Sequence, residues 1–187
     1  MHTVTLVSSN TYKLQSANLI CEPLGVTFEP VSLHIPEIQA ADGSEIVKDK
    51  AQKAFNELRK PILVNDDTWS FPGLGGFPGP YMADINKWLS VDDFGRLFAG
   101  LQDRRVFLIQ HAVYQDQTGQ HIFRTQIEGL ILEKPQGASK YTHSAYVSFD
   151  GGEMSSAEYG EAGKSSLVNH RTVWHDFAEW YTKNHVH

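Results

Sequence analysis

A chain of 187 residues with 41% hydrophobic and 20% charged residues can bury a sizeable core and has the composition of a soluble globular protein. Its formal net charge of −6 argues against binding of a nucleic-acid polymer, which needs a large basic surface, but permits a nucleotide site built from a few cations. The single cysteine excludes an internal disulfide, and no apolar run approaches the roughly 18 residues of a membrane-spanning helix. We therefore expect a single domain over residues 1–187, cytoplasmic, with neither a nucleic-acid polymer nor a membrane as partner.

The first elements predicted are a buried strand over residues 3–7, a polar turn, and an amphipathic helix over residues 14–20. Backbone N–H groups and the positive end of the helix dipole meet at such a junction, so it suits a phosphate. Lys13 adds a full positive charge there. The alternative is an ordinary helix cap without a ligand. The polar residues of the turn are Ser8, Ser9, Asn10, Thr11 and Lys13.

Two further charged residues precede the next buried strand. Residues 26–31 alternate and predict a strand, and the loop over residues 34–42 contains Glu37. Ser44 is predicted to cap a helix to about residue 59, with Lys50 at the edge of its apolar face. By default Glu37 is a surface glutamate and Lys50 a solvated helix lysine.

Asp66 and Asp67 follow a short apolar run at residues 61–64, which predicts a buried strand that ends in two adjacent carboxylates. Adjacent carboxylates repel each other, and a divalent cation relieves that repulsion. Carboxylate oxygens with an open, water-filled coordination sphere are a usual way to hold Mg²⁺. The alternative is that Asp66 and Asp67 only cap the following turn.

The remaining elements complete a mixed α/β pattern. The glycine- and proline-rich loop over residues 71–81 carries aromatic residues and is expected to be packed. Two short helices, a hairpin around residues 117–119 and a short strand at residues 146–149 follow.

Asn169 is predicted to cap a last helix with His170 and Arg171 in its first turn. First-turn cations oppose the helix dipole, which suggests an anionic partner or a close carboxylate. We expect a mixed twisted sheet flanked by helices.

The order of these motifs resembles that of the inosine triphosphate pyrophosphatase, or Ham1-like, family. The resemblance runs from Val4 to about Phe177, and the glycine- and proline-rich loop and the Asn10 to Lys13 turn are its most specific parts. The motifs are Ser9-Asn10 with Lys13, Pro36-Glu37, Lys50, Asn65-Asp66-Asp67, Gly75-Gly76-Phe77-Pro78-Gly79-Pro80-Tyr81 and Asn169-His170-Arg171.

This resemblance implies an elongated two-lobed α/β fold with the nucleotide in a cleft between the lobes, usually as a homodimer. It implies Mg²⁺-dependent hydrolysis of aberrant purine nucleoside triphosphates, such as those of inosine and xanthosine, to monophosphate and pyrophosphate. Water attacks the α-phosphorus, a step that needs cations to stabilise the leaving pyrophosphate and no covalent intermediate.

Residue roles follow from the same resemblance. Ser8, Ser9, Asn10, Thr11 and Lys13 cradle the triphosphate, and Lys50 neutralises phosphate charge. Glu37 and Asp66 bind Mg²⁺, Asp66 is also the base that activates water, and Asp67 stands where the family has serine or threonine. Lys13, Glu37 and Asp66 form the catalytic set, and His170 and Arg171 contact the base.

Besides Asp67, the chain departs from the family pattern in four places: Asn65 stands where the family has an acidic residue, Ser165 stands where it has a lysine, and two further departures lie between them. Met82, Ala83 and Asp84 follow Tyr81, where the family has a basic residue, and the base-reading segment over residues 141–145 lacks the family's aspartate and proline. Tyr141 and His143 in that segment are candidates to stack on or read the base. Two alternatives follow: a hydrolase for a different modified nucleotide, and a nucleotide-binding regulatory protein without turnover.

Overall fold

The computed structural model describes residues 1–185 and has the predicted mixed α/β class. Its sheet has the strand order β2-β1-β3-β5-β6-β7, with β4 paired to β3. The strands are β1 (His2–Val7), β2 (Val26–Val31), β3 (Ile62–Ser70), β4 (Pro78–Gly79), β5 (Arg105–Asp116), β6 (Gly119–Ile131) and β7 (Val147–Ser148). The helices are α1 (Thr11–Cys21), α2 (Gly43–Leu58), α3 (Met82–Trp88), α4 (Val91–Phe98), α5 (Ser156–Glu161) and α6 (Val173–Asn184).

The chain divides into two compact units. Of the described residues, unit 1 contains Met1–Asp67, Gln110–Thr125 and residues 171–185, and unit 2 contains Thr68–Ile109 and Gln126–His170. Strands β3, β5 and β6 each contribute residues to both units. Within residues 1–185, no helix is both long and apolar enough to cross a membrane.

In unit 1, the parallel strands β1, β2 and β3 carry a different apolar cluster on each face. Period-two alternation sends Leu63 to the face covered by α1 and α6, where it joins Leu6 and Phe177. The neighbouring Ile62 and Val64 instead join the cluster under α2. Helices α1 and α2, which connect β1 to β2 and β2 to β3, therefore cover opposite faces of these strands, and α6 packs on the same face as α1.

In unit 2, one aromatic-rich cluster packs helices α3 and α4 with β5, β6 and β7. Phe71, Phe94 and Phe98 are fully or almost fully buried in it. The prediction that the loop over residues 71–81 is packed holds only in part: Phe71 is buried and its N–H donates to the Phe77 carbonyl at 3.0 Å, but Phe77 and Tyr81 are exposed.

Three local predictions are wrong in position. The cap of α2 is Asp42, whose Oδ1 accepts from the Ser44 N–H at 2.8 Å. Strand β3 continues to Ser70, because Trp69 and Ser70 pair with β4, so Asp66 and Asp67 lie within the strand rather than at its end.

Helix α6 begins after Thr172, so His170 and Arg171 precede the helix instead of forming its first turn. The Thr172 N–H donates to His175 Nδ1 at 3.2 Å and fixes this start.

Candidate active site

The turn between β1 and α1 is built around Asn10. Its side-chain oxygen accepts from the backbone N–H groups of Tyr12 and Lys13 at 3.0 and 3.4 Å, which caps α1. Ser8 Oγ in turn accepts from the Asn10 N–H at 3.1 Å. Ser9 and Thr11 are exposed. The predicted turn is therefore formed, with polar and backbone groups at the start of a helix.

The register of the parallel strands brings Lys13 to the two aspartates. Leu6 on β1 pairs with Leu63 on β3, so β3 extends past the end of β1 at Asp66 and Asp67. Lys13, just beyond β1, reaches this extension: its Nζ lies 3.8 Å from Asp66 Oδ1 and 3.2 Å from Asp67 Oδ2. The sequence-predicted cation and carboxylates thus meet in unit 1.

The Lys13 ammonium is held in its charged form by this environment. Burial alone disfavours the charge, but the carboxylates of Asp67 and Asp66, with a smaller contribution from Glu37, outweigh it and raise the pKa of Lys13. Nζ also donates to the Asn65 carbonyl at 3.4 Å. A phosphate that binds here meets a permanently charged ammonium already engaged by carboxylates.

Sequence reasoning missed the buried amides beside this cluster. Gln110 Nε2 lies 3.5 Å from Asp67 Oδ1, and Asn65 Nδ2 donates to the His111 carbonyl at 2.9 Å. Among residues 1–185, Asn65 Oδ1 and Gln110 Oε1 are buried side-chain atoms for which the structure contains no hydrogen-bond partner. The available signal was the polar pair Gln110-His111 inside an otherwise apolar strand.

Glu37 and Lys50 form an ion pair with each other. The Lys50 ammonium donates to Glu37 Oε1, and Lys53 Nζ donates to the neighbouring Pro36 carbonyl at 2.9 Å. These bonds tie the loop that carries Glu37 to helix α2. Since the charge of Glu37 also acts on Lys13, the loop contributes to the electrostatics of the same site.

The donor chemistry fits a hard divalent cation such as Mg²⁺. Asp66 and Glu37, the metal ligands predicted from the sequence, supply carboxylate oxygens whose charges both act on Lys13. Mg²⁺ is usually bound by one or two carboxylates together with water and substrate phosphates. In the part of the chain that the structure describes, no group of three or more histidine, cysteine, aspartate or glutamate side chains is arranged to hold a metal by itself. A metal here would need phosphate or water to complete its coordination.

Arg171, also in unit 1, is engaged by two acidic residues of α6. Its Nε donates to Asp176 Oδ1 at 2.6 Å, and its terminal nitrogens donate to the two Glu179 oxygens at 3.1 and 3.0 Å. Hydrogen bonds to Glu179 and Asp176 raise the pKa of Arg171. The sequence suggested either an anionic partner or a close carboxylate for the cation at this position, and the structure contains close carboxylates. Contact of Arg171 with a nucleotide base stays a prediction.

In unit 2, Asn86 organises the segment over residues 141–145. Its Oδ1 lies 2.9 Å from His143 Nδ1 and accepts from Thr142 Oγ1 at 3.1 Å. The His143 ring meets Trp69 edge-on at 4.6 Å and is 5% exposed. Tyr141 is half-buried, with the Lys140 ammonium 5.0 Å from its ring centre. A base-reading role for Tyr141 and His143 stays a prediction.

His170 closes unit 2 at its carboxyl end. Its Nε2 lies 2.6 Å from the Phe149 carbonyl, so this nitrogen carries the proton and donates. This hydrogen bond fixes the segment before α6 to unit 2. The contact of His170 with a nucleotide base stays a prediction.

Burial lowers the pKa of His143 to about 3, so the folded protein keeps this ring neutral. In the unfolded chain the His143 ring binds a proton near pH 6.5, whereas in the folded chain it stays neutral down to about pH 3. Protonation therefore favours the unfolded state, and the free energy of unfolding decreases as the pH falls from about 6.5 toward 3. Between pH 7 and pH 5, the free energy of unfolding of the parent should fall by about 2 kcal/mol more than that of His143→Gln. Urea unfolding at both pH values measures this, with the exposed His34→Gln as control; equal losses in parent and His143→Gln would contradict it.

Comparison with known proteins places these features in a family. Residues 4–179 match the model of the Ham1 family. The chain is 28% identical to a dITP/XTP pyrophosphatase of Methanopyrus kandleri over 97% of each protein. It is 32% identical to inosine triphosphate pyrophosphatase 2 of Trypanosoma cruzi over 73% of this chain and 69% of that protein.

The fold is similar to that of a HAM1 protein from Coxiella burnetii, with a TM-score of 0.74 and 17% identity over 98% of this chain and 100% of the other. The expectation of a pyrophosphatase-type enzyme agrees with the names of the two relatives. The match over residues 4–179 confirms the resemblance predicted from the sequence: the chain belongs to the Ham1 family.

Proposed function

We propose that this chain is a Mg²⁺-dependent nucleoside triphosphate pyrophosphatase that acts on purine nucleotides such as those of inosine and xanthosine. The observation that carries the proposal is the meeting of Lys13 with Asp66 and Asp67 beside the Asn10-capped start of α1. The names of the similar proteins from Methanopyrus kandleri and Trypanosoma cruzi support the substrate class. A homodimer and a cytoplasmic location stay predictions.

In the proposed reaction, the residues of unit 1 bind the phosphates and move one proton. The N–H groups at the start of α1 and the Lys13 ammonium bind phosphate oxygens, and Lys50 adds positive charge. Asp66 Oδ1 is occupied by the Asp67 N–H at 2.9 Å, so Oδ2 is the atom that accepts the proton of the attacking water. Asp66 and Glu37 would hold Mg²⁺, which would supply positive charge to the phosphate oxygens.

The test is a panel of nucleoside triphosphates, including inosine and xanthosine forms, incubated with Mg²⁺ and with a chelator. We expect pyrophosphate and a nucleoside monophosphate as products, in Mg²⁺ only. Release of inorganic phosphate instead would contradict attack at the α-phosphorus. Tight binding of a nucleotide without release of pyrophosphate would support the alternative of a nucleotide-binding regulatory protein. Turnover of only another modified nucleotide would support the alternative of a hydrolase with a different substrate.

A further inference from the structure

Asp67 gives this site an unusual charge balance. Lys13, the cation predicted to bind the phosphates of the nucleotide, already forms ion pairs with both aspartates. Its Nζ is closer to Asp67 Oδ2, at 3.2 Å, than to Asp66 Oδ1, at 3.8 Å. One ammonium therefore faces two carboxylates. Glu37 and Lys50 pair with each other and add no net charge. The cluster as a whole carries one net negative charge.

The side-chain amide of Gln110 lies beside Asp67. Ala112 and Tyr114, next in register along β5, join the cluster under α1, so period-two alternation places Gln110 on the same face. Its Nε2 lies 3.5 Å from Asp67 Oδ1, while the other oxygen of that carboxylate faces Lys13. Gln110 is only 5% exposed, and its Oε1 is one of the buried atoms without a hydrogen-bond partner within residues 1–185. A buried amide is thus directed at Asp67 rather than at a structural partner of its own.

A polyphosphate that enters this site without a metal is opposed by the net negative charge. A bound divalent cation changes the net charge of the cluster from negative to positive, so that the site attracts the polyphosphate. The size of this effect depends on the distance between Asp67 and Lys13, and the Gln110 amide is in contact with the carboxylate oxygen of Asp67 that faces away from Lys13.

We propose that Asp67, positioned by Gln110, makes phosphate binding at Lys13 conditional on a divalent cation. The inference rests on the proposed function, in that Lys13 is taken as the phosphate-binding cation. Asp67 is a positioning and selectivity residue here. It neither transfers a proton nor has to bind the metal, and its carboxylate suppresses binding of metal-free polyphosphate.

The test is the binding of inorganic pyrophosphate by calorimetry, in chelator and in saturating Mg²⁺. For Asp67→Asn, the Kd in chelator should fall about tenfold or more, because one negative charge beside the phosphates is gone, and the Kd in Mg²⁺ should fall by a smaller factor, because the metal already offsets part of the phosphate charge. The ratio of the two Kd values therefore falls. Gln110→Met, of similar size but without the amide, should lower the same ratio by a smaller factor.

Asp116→Asn is the matched control, since it removes one charge in unit 1 and still offers an acceptor to the Thr118 N–H. It should leave the ratio as in the parent. An unchanged ratio in Asp67→Asn overturns the inference, as does weaker binding in Mg²⁺ with unchanged binding in chelator, which would make Asp67 a metal ligand. Asp67→Thr is the second variant if Asp67→Asn fails to fold, with the same expected result.

Failure of the proposed function has a different signature. If Asp67→Asn lowers the ratio but the parent releases no pyrophosphate from any nucleoside triphosphate, the function fails and the inference survives. If the parent releases pyrophosphate while Asp67→Asn keeps the parental ratio, the function stands and the inference fails. Absence of pyrophosphate binding in both buffers contradicts both.

Discussion

Replacing Asp66 with asparagine should lower kcat by about 10²–10⁴-fold, the usual cost of losing a general base. Asparagine keeps the shape of the side chain and an oxygen that can accept from the Asp67 N–H, so the local backbone should be preserved. Nucleotide binding should be retained or become tighter, because a negative charge near the phosphates has been removed. Steady-state kinetics gives kcat, and calorimetry with the nucleotide gives the Kd.

Asp116→Asn controls for the change in net charge and should keep the parental kcat. An Asp66→Asn protein that turns over like the parent would show that another group accepts the proton. Loss of both turnover and nucleotide binding would assign Asp66 to binding rather than to the chemical step.

Replacing Lys13 with methionine should lower kcat/KM by about 10²–10³-fold, since a charged group that stabilises developing phosphate charge is lost. The Lys13 side chain is one-fifth exposed, and methionine keeps most of its apolar stem. In contrast to Asp66→Asn, this variant should also bind nucleotide more weakly, because Asp66 and Asp67 are left without the ammonium between them. Kinetics and calorimetry on both variants separate the two roles.

Lys13→Arg serves as the charge-preserving control and should recover part of kcat/KM. A Lys13→Met protein with parental kcat/KM would place the phosphate-binding cation elsewhere. A loss that Lys13→Arg shares in full would point to packing or geometry rather than to charge.

Much of the site follows from local sequence signals. The apolar run of β1, the polar turn and the start of α1 predict a capped helix, and Asn10 is the cap in the structure. Helix α2 and the hairpin of β5 and β6 were likewise recognisable, because periodicity reports which face of a single element is buried. Ends were less predictable: β3 continues to Ser70 through pairing with β4, a partner that no local pattern reveals.

Burial of the polar residues was also beyond the sequence. His143 looks like a loop histidine in its own segment, yet Trp69 and Asn86, more than fifty positions away, enclose it. Gln110 looks like an interruption of an apolar strand, and only the neighbouring β3 explains it. Such contacts depend on which strands and helices become neighbours.

The sequence by itself determined the mixed α/β class, the Ham1 family and a small set of charged residues, Lys13, Glu37, Lys50, Asp66 and Asp67, as candidates. It did so because composition, periodicity and motif order are properties of single segments and their succession. Only the tertiary structure decided that Lys13 meets both aspartates and that the Gln110 amide lies beside one of them. The physical reason is strand register. The pairing of Leu6 with Leu63 determines how far β3 extends beyond the end of β1, and this extension brings Asp66 and Asp67 next to Lys13, which is far from them in the sequence.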